Sequence, residues 1–149
     1  MVFGENEDNL ESPAIEYLGQ VWSFNRLKQE TDKAASAFYK SGLGVGDVVL
    51  VGVSNCPEAI VTLLALNKIG VTSRWFDIRT SEKEIEKYAN NSNVRMMIAF
   101  DMLMPKIETF INQTKIEKVL VLYPTDSLPL WGRFSPKADR KFSVHSACV

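Results

Sequence analysis

Histidine and cysteine are scarce in this 149-residue chain, which contains only His145, Cys56 and Cys148. The two cysteines form no C-x-x-C pair, and one histidine cannot complete a zinc ligand set, so no metal site is expected. Two distant thiols also provide no disulfide framework and fit a reducing compartment. A surplus of one charge is missing as well: Lys+Arg number 17 and Asp+Glu 18. Such a balance supplies no field to hold nucleic acid or an anionic membrane. Long hydrophobic runs are missing too. The longest, around Ala59 to Leu66, contains Thr62 and is too short to span a bilayer. The first eleven residues carry Glu5, Glu7, Asp8 and Glu11, whereas a secretory signal opens on basic residues followed by an apolar stretch. A soluble, cytoplasmic chain is expected.

The absence with the greatest consequence is a phosphate cradle. Such a loop is glycine-rich, usually with Ser or Thr and a Lys, and its backbone amides hold phosphate oxygens. Gly42-Leu43-Gly44-Val45-Gly46 is the nearest approach. It follows a helix pattern and leads into a strand, the reverse of the order needed to aim a helix N-terminus at a pyrophosphate. Its spacing is also G-x-G-x-G, so it reads as a helix stop and a turn.

What the chain does contain is an alternation of helix and strand patterns. Residues 1–20 read as a loose lead-in, and Gln20 to Ser23 as a short extended piece. Ser23 is placed to cap a helix whose face is Leu27, Thr31, Ala34, Ala35 and Phe38, with Gly42 closing it. Val48 to Val53 reads as a buried strand. Ser54-Asn55 then caps a second helix, with Pro57 near its first position and Ile60, Leu63, Leu64 and Asn67 tracing its face. Gly70 ends it, and Val71 to Phe76 forms the next strand, so these elements make a βαβ unit with parallel strands. Ser81 and Glu84 have capping-box spacing ahead of an apolar stripe of Ile85, Tyr88 and Ala89. A turn at 90–93 leads to a strand at Arg95 to Phe100. Asp101 caps a fourth helix bearing Ile107, Phe110 and Ile111, with Pro105 disturbing its start. Lys118 to Tyr123 is a fourth strand.

Residues 20–123 therefore form the helix/strand subdomain, and the expected fold is α/β, a layered, mostly parallel sheet with helices on both faces. Residues 124–149 read as a loop and the truncated start of another strand near Phe142 to Val144. A chain stopping there is expected to be cut mid-domain, leaving an uncovered sheet edge and a tendency to self-associate.

Individual polar candidates have plain structural readings. Cys56 sits at a helix start, with no histidine near it in sequence, and reads as a packed thiol. His145 has no identifiable partner. Glu82 and Glu86 fit a solvated helix face, and Glu84 a cap. Asp77 stands apart, because it follows the carboxyl end of a strand, where parallel sheets place ligands. Trp75 and Phe76 must point to opposite sides of their strand, and exposed aromatics, Trp22 included, could line an acyl pocket or a subunit contact.

Several segments resemble, in order, the adenylate-forming superfamily of acyl-CoA synthetases, peptide-synthetase adenylation domains and luciferases. Trp22-Ser23-Phe24-Asn25-Arg26-Leu27 is similar to the family's (Y/W)-(S/T)-(Y/F)-x-x-L opening, with Arg26 where a Glu is usual, so the capping box there is lost. Ala35 through Gly42-Leu43-Gly44-Val45-Gly46-Asp47-Val48-Val49 resembles the G-(V/L)-x-x-G-D-x-V segment, and Asn55, Pro57 and Glu58 resemble N-x-x-E. Ala65 and Gly70, then Asp77, Glu84, Ile85 and Asn91-Ser92-Asn93-Val94-Arg95, continue the correspondence, with Ile78 replacing a usual proline. The resemblance covers about residues 20–123 and implies a piece of an enzyme that adenylates a carboxylic acid with ATP and Mg²⁺ and passes the acyl group to coenzyme A. A fatty acid is the commonest substrate guess. The family's phosphate loop, later acidic and Arg motifs and lid Lys lie downstream, and no position here matches them. No catalytic, nucleotide-binding or metal-binding residue is therefore assigned. Two other readings stand beside this one: a free-standing flavodoxin-like or receiver-like module, disfavoured by Ser54-Asn55 ending the first long strand, and a non-catalytic homologue acting through protein contacts.

Overall fold

The computed structural model describes residues 4–90, 93–123 and 142–146. The turn expected at 90–93 in part, the loop after Tyr123 and Cys148 lie outside the described residues.

Ser23 caps α1 (Phe24–Lys40), its hydroxyl accepting from the Arg26 amide at 3.3 Å. The buried face is the expected one: Leu27, Thr31, Ala34, Ala35 and Phe38. At the other end Gly42 has φ of 99°, which lets its amide bond Tyr39 O at 3.0 Å and the Leu43 amide bond Phe38 O at 3.2 Å. This pair of bonds satisfies carbonyls the last turn leaves open, and buried Leu43 joins Phe38 in one core. Gly46, at φ 89°, completes the reversal into the sheet, while the Asp47 carboxylate accepts from the Gly44 amide at 2.9 Å. The glycines thus build a turn.

The lead-in is more ordered than its composition suggests. A 3-10 turn at Gly4–Asn9 precedes β1 (Pro13–Tyr17), which pairs antiparallel with β2 (Gln20–Ser23). Leu18 and Gly19, both at positive φ, form the hairpin's tip.

The main sheet has strand order β4-β3-β5-β6-β7: β3 (Val48–Gly52), β4 (Thr72–Phe76), β5 (Val94–Phe100), β6 (Lys118–Leu122) and β7 (Phe142–Ser146). The first four are parallel, and β7 runs antiparallel to β6. The final strand is thus longer than expected and covers the outer edge of β6. Helices pack on both faces. On one, α1 and α2 (Pro57–Lys68) enclose Val49, Val51, Ile98 and Leu120. On the other, α3 (Glu82–Asn90) and the short α4 (Met104–Ile107) enclose Leu50, Met97, Ala99 and Val121. In β3, β5 and β6 alternate residues feed opposite cores, which is why these three strands read as apolar runs, whereas the edge strand β4 buries Phe76 alone.

Local expectations are corrected in three helices. The cap of α2 is Cys56, in extended backbone and with no side-chain bond; Ser54 and Asn55 stand ahead of it. The buried side of α2 is Pro57, Val61, Thr62, Ala65 and Leu66, while Ile60 and Leu63 are exposed. This helix carries apolar residues all round, so spacing alone does not choose its face. Near Pro105 the expected fourth helix shortens to one α-helical turn between 3-10 turns at Asp101–Leu103 and Ile111–Gln113. Ile107, Phe110 and Ile111 still reach the core. In α3, Ile85 and Ala89 are buried but Tyr88 is exposed, and the Ser81 hydroxyl donates to the Glu84 carboxylate at 2.9 Å in place of reciprocal backbone bonds.

Candidate functional site

In an open parallel sheet, ligands gather outside the carboxyl ends of the strands, where the winding reverses. Here the chain runs from β3 outward to β4, then returns past β3 to β5, so the reversal lies between β3 and β5. Gly52 ends β3 at that point. A Cβ there would lie 2.7 Å from Phe76 Cε2 and 2.9 Å from Leu103 Cδ1. Two apolar side chains therefore occupy the space over Gly52.

Beside it a cleft of about 210 Å³ is lined by Val53, Ser54, Asn55, Asp77, Ile78 and Arg79. Asp77, the carboxylate singled out from sequence, does lie at this end of the sheet. It is already engaged: Arg79 donates its amide to Oδ1 at 2.7 Å, its Nε to Oδ1 at 2.8 Å and an Nη to Oδ2 at 2.8 Å. The side-chain bonds from Arg79 hold the Asp77 carboxyl well below the usual carboxylate range. Such a carboxylate is a weak proton acceptor at neutral pH. Glu82, Glu84 and Glu86 lie on α3, away from this cleft's lining.

A second hollow, about 260 Å³ and mainly apolar, opens between α1 and α2 at the end of β6. Trp22, Ala34, Val61, Leu122 and Tyr123 line it, with Glu30 and Lys33 among its walls. Trp22 is buried, and among the described residues its indole N–H finds no acceptor. Arg26, the departure from the family pattern, stacks its guanidinium 4.0 Å from the centre of the Trp22 ring. The sequence offers Trp22, if exposed, as a pocket liner or a subunit contact; it is buried and lines this hollow. The hollow it lines is assembled from four separate elements and has no signature at any one of them.

Cys56 is buried, and burial pushes its thiol from 9.0 up to about 12. The folded chain therefore keeps it protonated, and folding loses stability as pH rises from 9 toward 12, where only the unfolded thiol ionises. With Cys148 replaced by serine, alkylation at pH 8 is expected to be slow in buffer and fast in urea. Fast labelling of the native chain would refute the burial argument.

The groups that ATP and Mg²⁺ demand do not match these residues. Phosphate oxygens need convergent amides or cations, yet the crevice at the winding reversal holds Phe76 and Leu103, and Arg79 in the neighbouring cleft is committed to Asp77. Among the described residues no cluster of three or more His, Cys, Asp or Glu could hold a metal ion. Among them, too, no helix is long and apolar enough to cross a membrane.

Comparison with known proteins places the chain. The profile of the AMP-binding enzyme family matches residues 5–143. A long-chain-fatty-acid–CoA ligase of Bacillus subtilis (strain 168) is 24% identical over 132 residues, covering 89% of this chain and 24% of that enzyme. 4-Coumarate–CoA ligase 1 of Arabidopsis thaliana is 26% identical over 112 residues, covering 75% of the chain and 20% of the relative. Among solved structures, the anthranilate CoA ligase AuaEII in complex with anthranoyl-AMP superposes with a TM-score of 0.76 at 16% identity, over 85% of this chain and 26% of that one. The long-chain-fatty-acid–CoA ligase FadD1 of Archaeoglobus fulgidus gives a TM-score of 0.74 at 21% identity, over 81% and 26%. The chain thus spans about a quarter of these relatives' length, 24% of the first and 20% of the second. With the profile covering nearly all of it, and with the same layered fold in solved ligases, the chain belongs to the AMP-binding enzyme family.

Proposed function

We propose that this chain is the N-terminal scaffold portion of an ATP-dependent acid–CoA ligase. The whole enzyme would adenylate a carboxylic acid, with ATP and Mg²⁺, and transfer the acyl group to coenzyme A. A fatty acid or related acid is the substrate class this reading favours, since long-chain ligases occur among the relatives. The observation that carries the reading is the family match over residues 5–143, on a chain in which Phe76 and Leu103 fill the space over Gly52 at the end of β3. In this reading, residues 20–123 supply the sheet and helices against which the rest of such an enzyme folds, residues 124–149 lead onward, and the protein is cytoplasmic. No residue of this chain is assigned to catalysis, nucleotide binding or metal binding. The flavodoxin-like alternative is set aside by the family match.

The chain alone is expected to show no ATP–pyrophosphate exchange with a panel of fatty and aromatic acids, and no saturable ATP binding by calorimetry. Acid-dependent exchange above the no-acid background would overturn this reading.

A further inference from the structure

We propose that the hollow between α1 and α2 binds a small neutral aromatic ketone or amide, whose carbonyl oxygen accepts from the Trp22 indole N–H. This stands apart from the ligase reading, whose substrate is a carboxylate. The hollow, about 260 Å³, opens between the two helices at the end of β6. Apolar cavities of about 150 Å³ already admit benzene. The larger volume here takes such a ring together with a short polar substituent. Trp22, Ala37, Val61 and Leu122 give the ring an apolar wall drawn from β2, both helices and the sheet.

Trp22 supplies the polar contact. Its side chain is only 2% exposed, and among the described residues its Nε1–H has no acceptor. A buried donor left unpaired is destabilising, and each such donor in a native structure calls for a partner. Water would answer the donor but not the apolar wall, whereas a ligand with an apolar body and one acceptor answers both. Arg26 stacks over the face of the Trp22 ring, 4.0 Å from its centre. The N–H lies in the ring plane, so this contact leaves the donor's direction open. The charged residues of the wall select against an anion. Glu30 and Glu58 are acidic, and the basic residue there, Lys33, is held by Glu30 at 2.8 Å. A ligand carboxylate would face acidic neighbours with no uncommitted cation among the described lining residues, so a neutral acceptor fits and a carboxylate does not.

Titrating the isotope-labelled 149-residue chain with acetophenone is expected to shift the Trp22 indole N–H resonance saturably. The Trp75 indole, which donates to Ser73 Oγ at 2.9 Å, is expected to stay in place. Trp22→Phe keeps an aromatic ring and removes the donor. By calorimetry it is expected to weaken acetophenone about tenfold and to leave isopropylbenzene, which has similar bulk and no acceptor, unchanged. Benzoate, an anion of similar size, is expected to bind at least about tenfold more weakly than acetophenone at neutral pH. Ala37→Phe, with unchanged circular dichroism, keeps Trp22 but fills the hollow from α1, and is expected to abolish binding of both neutral probes. No saturable shift, as a hollow already filled by protein would give, would overturn the proposal. So would equal weakening of both neutral probes in Trp22→Phe, benzoate binding as tightly as acetophenone, or an Ala37→Phe chain that still binds. Pyrophosphate exchange plays no part in these readings, so the ligase reading fails or survives independently.

Discussion

Replacing Phe38 with alanine is expected to lower the stability of the folded chain by about 3–5 kcal/mol. Phe38 is among the most deeply buried large side chains and sits where α1, Leu43 and the sheet meet. Its truncation removes the transfer free energy of the ring and leaves a cavity that the surrounding β-sheet cannot fully close. The backbone raises the cost further. The Phe38 carbonyl accepts from the Leu43 amide at 3.2 Å and from the Ser41 hydroxyl at 2.7 Å, so the helix stop depends on the packing that holds Phe38 in place. Single domains are stable by only about 5–15 kcal/mol, so the variant would retain a small margin. Urea unfolding followed by circular dichroism measures this as a fall in midpoint at unchanged slope. The neighbouring Tyr39, 68% exposed, is the control: Tyr39→Ala is expected to move stability by about 0.5 kcal/mol or less. Equal effects at the two positions would contradict the face assigned to α1.

That contrast also marks how much of the molecule is legible in its sequence. Helix α1 alternates alanine, threonine and aromatics among charged residues, so one face only can be buried, and the same five residues come out of sequence and structure. Helix α2 is apolar on every side, and its burial is decided by what surrounds it; Ile60 and Leu63, which have helical spacing, remain outside. Strands β3, β5 and β6 were legible as apolar runs separated by helices, because burial on both faces removes polar alternation. Of the hairpin, β2 was legible as the extended piece Gln20 to Ser23, but β1 and its pairing were not, since the strands are short and the turn has Leu18 at positive φ, an uncommon residue there. The candidate site divides in the same way. Asp77 could be placed at a strand end by counting, but its pairing with Arg79 depends on how the following turn folds back. The occupied crevice over Gly52 brings together β3, Phe76 of β4 and Leu103 after β5, which no local pattern encodes.

The crevice leads to the second large effect, expected at Gly52. Its backbone does not lie in the left-handed region, so the glycine is required by space. The Cβ of an alanine would meet Phe76 and Leu103 inside ordinary contact distance, and valine would add two methyl groups in the same place. Both neighbours are buried and cannot swing into solvent. Overpacking of this kind costs about 1–3 kcal/mol, and Gly52→Val is expected at or above the upper end of that range. The cause can be isolated with a double-mutant cycle. Phe76→Ala alone is expected to destabilise by about 3–5 kcal/mol through its cavity. In that background the ring that collides with a new Cβ is gone, so adding Gly52→Ala should cost far less than it does in the wild-type chain. Urea midpoints for the four chains give the coupling directly. If the two substitutions instead add, the ring does not rest on Gly52, and the end of β3 is more open to a ligand than its packing indicates.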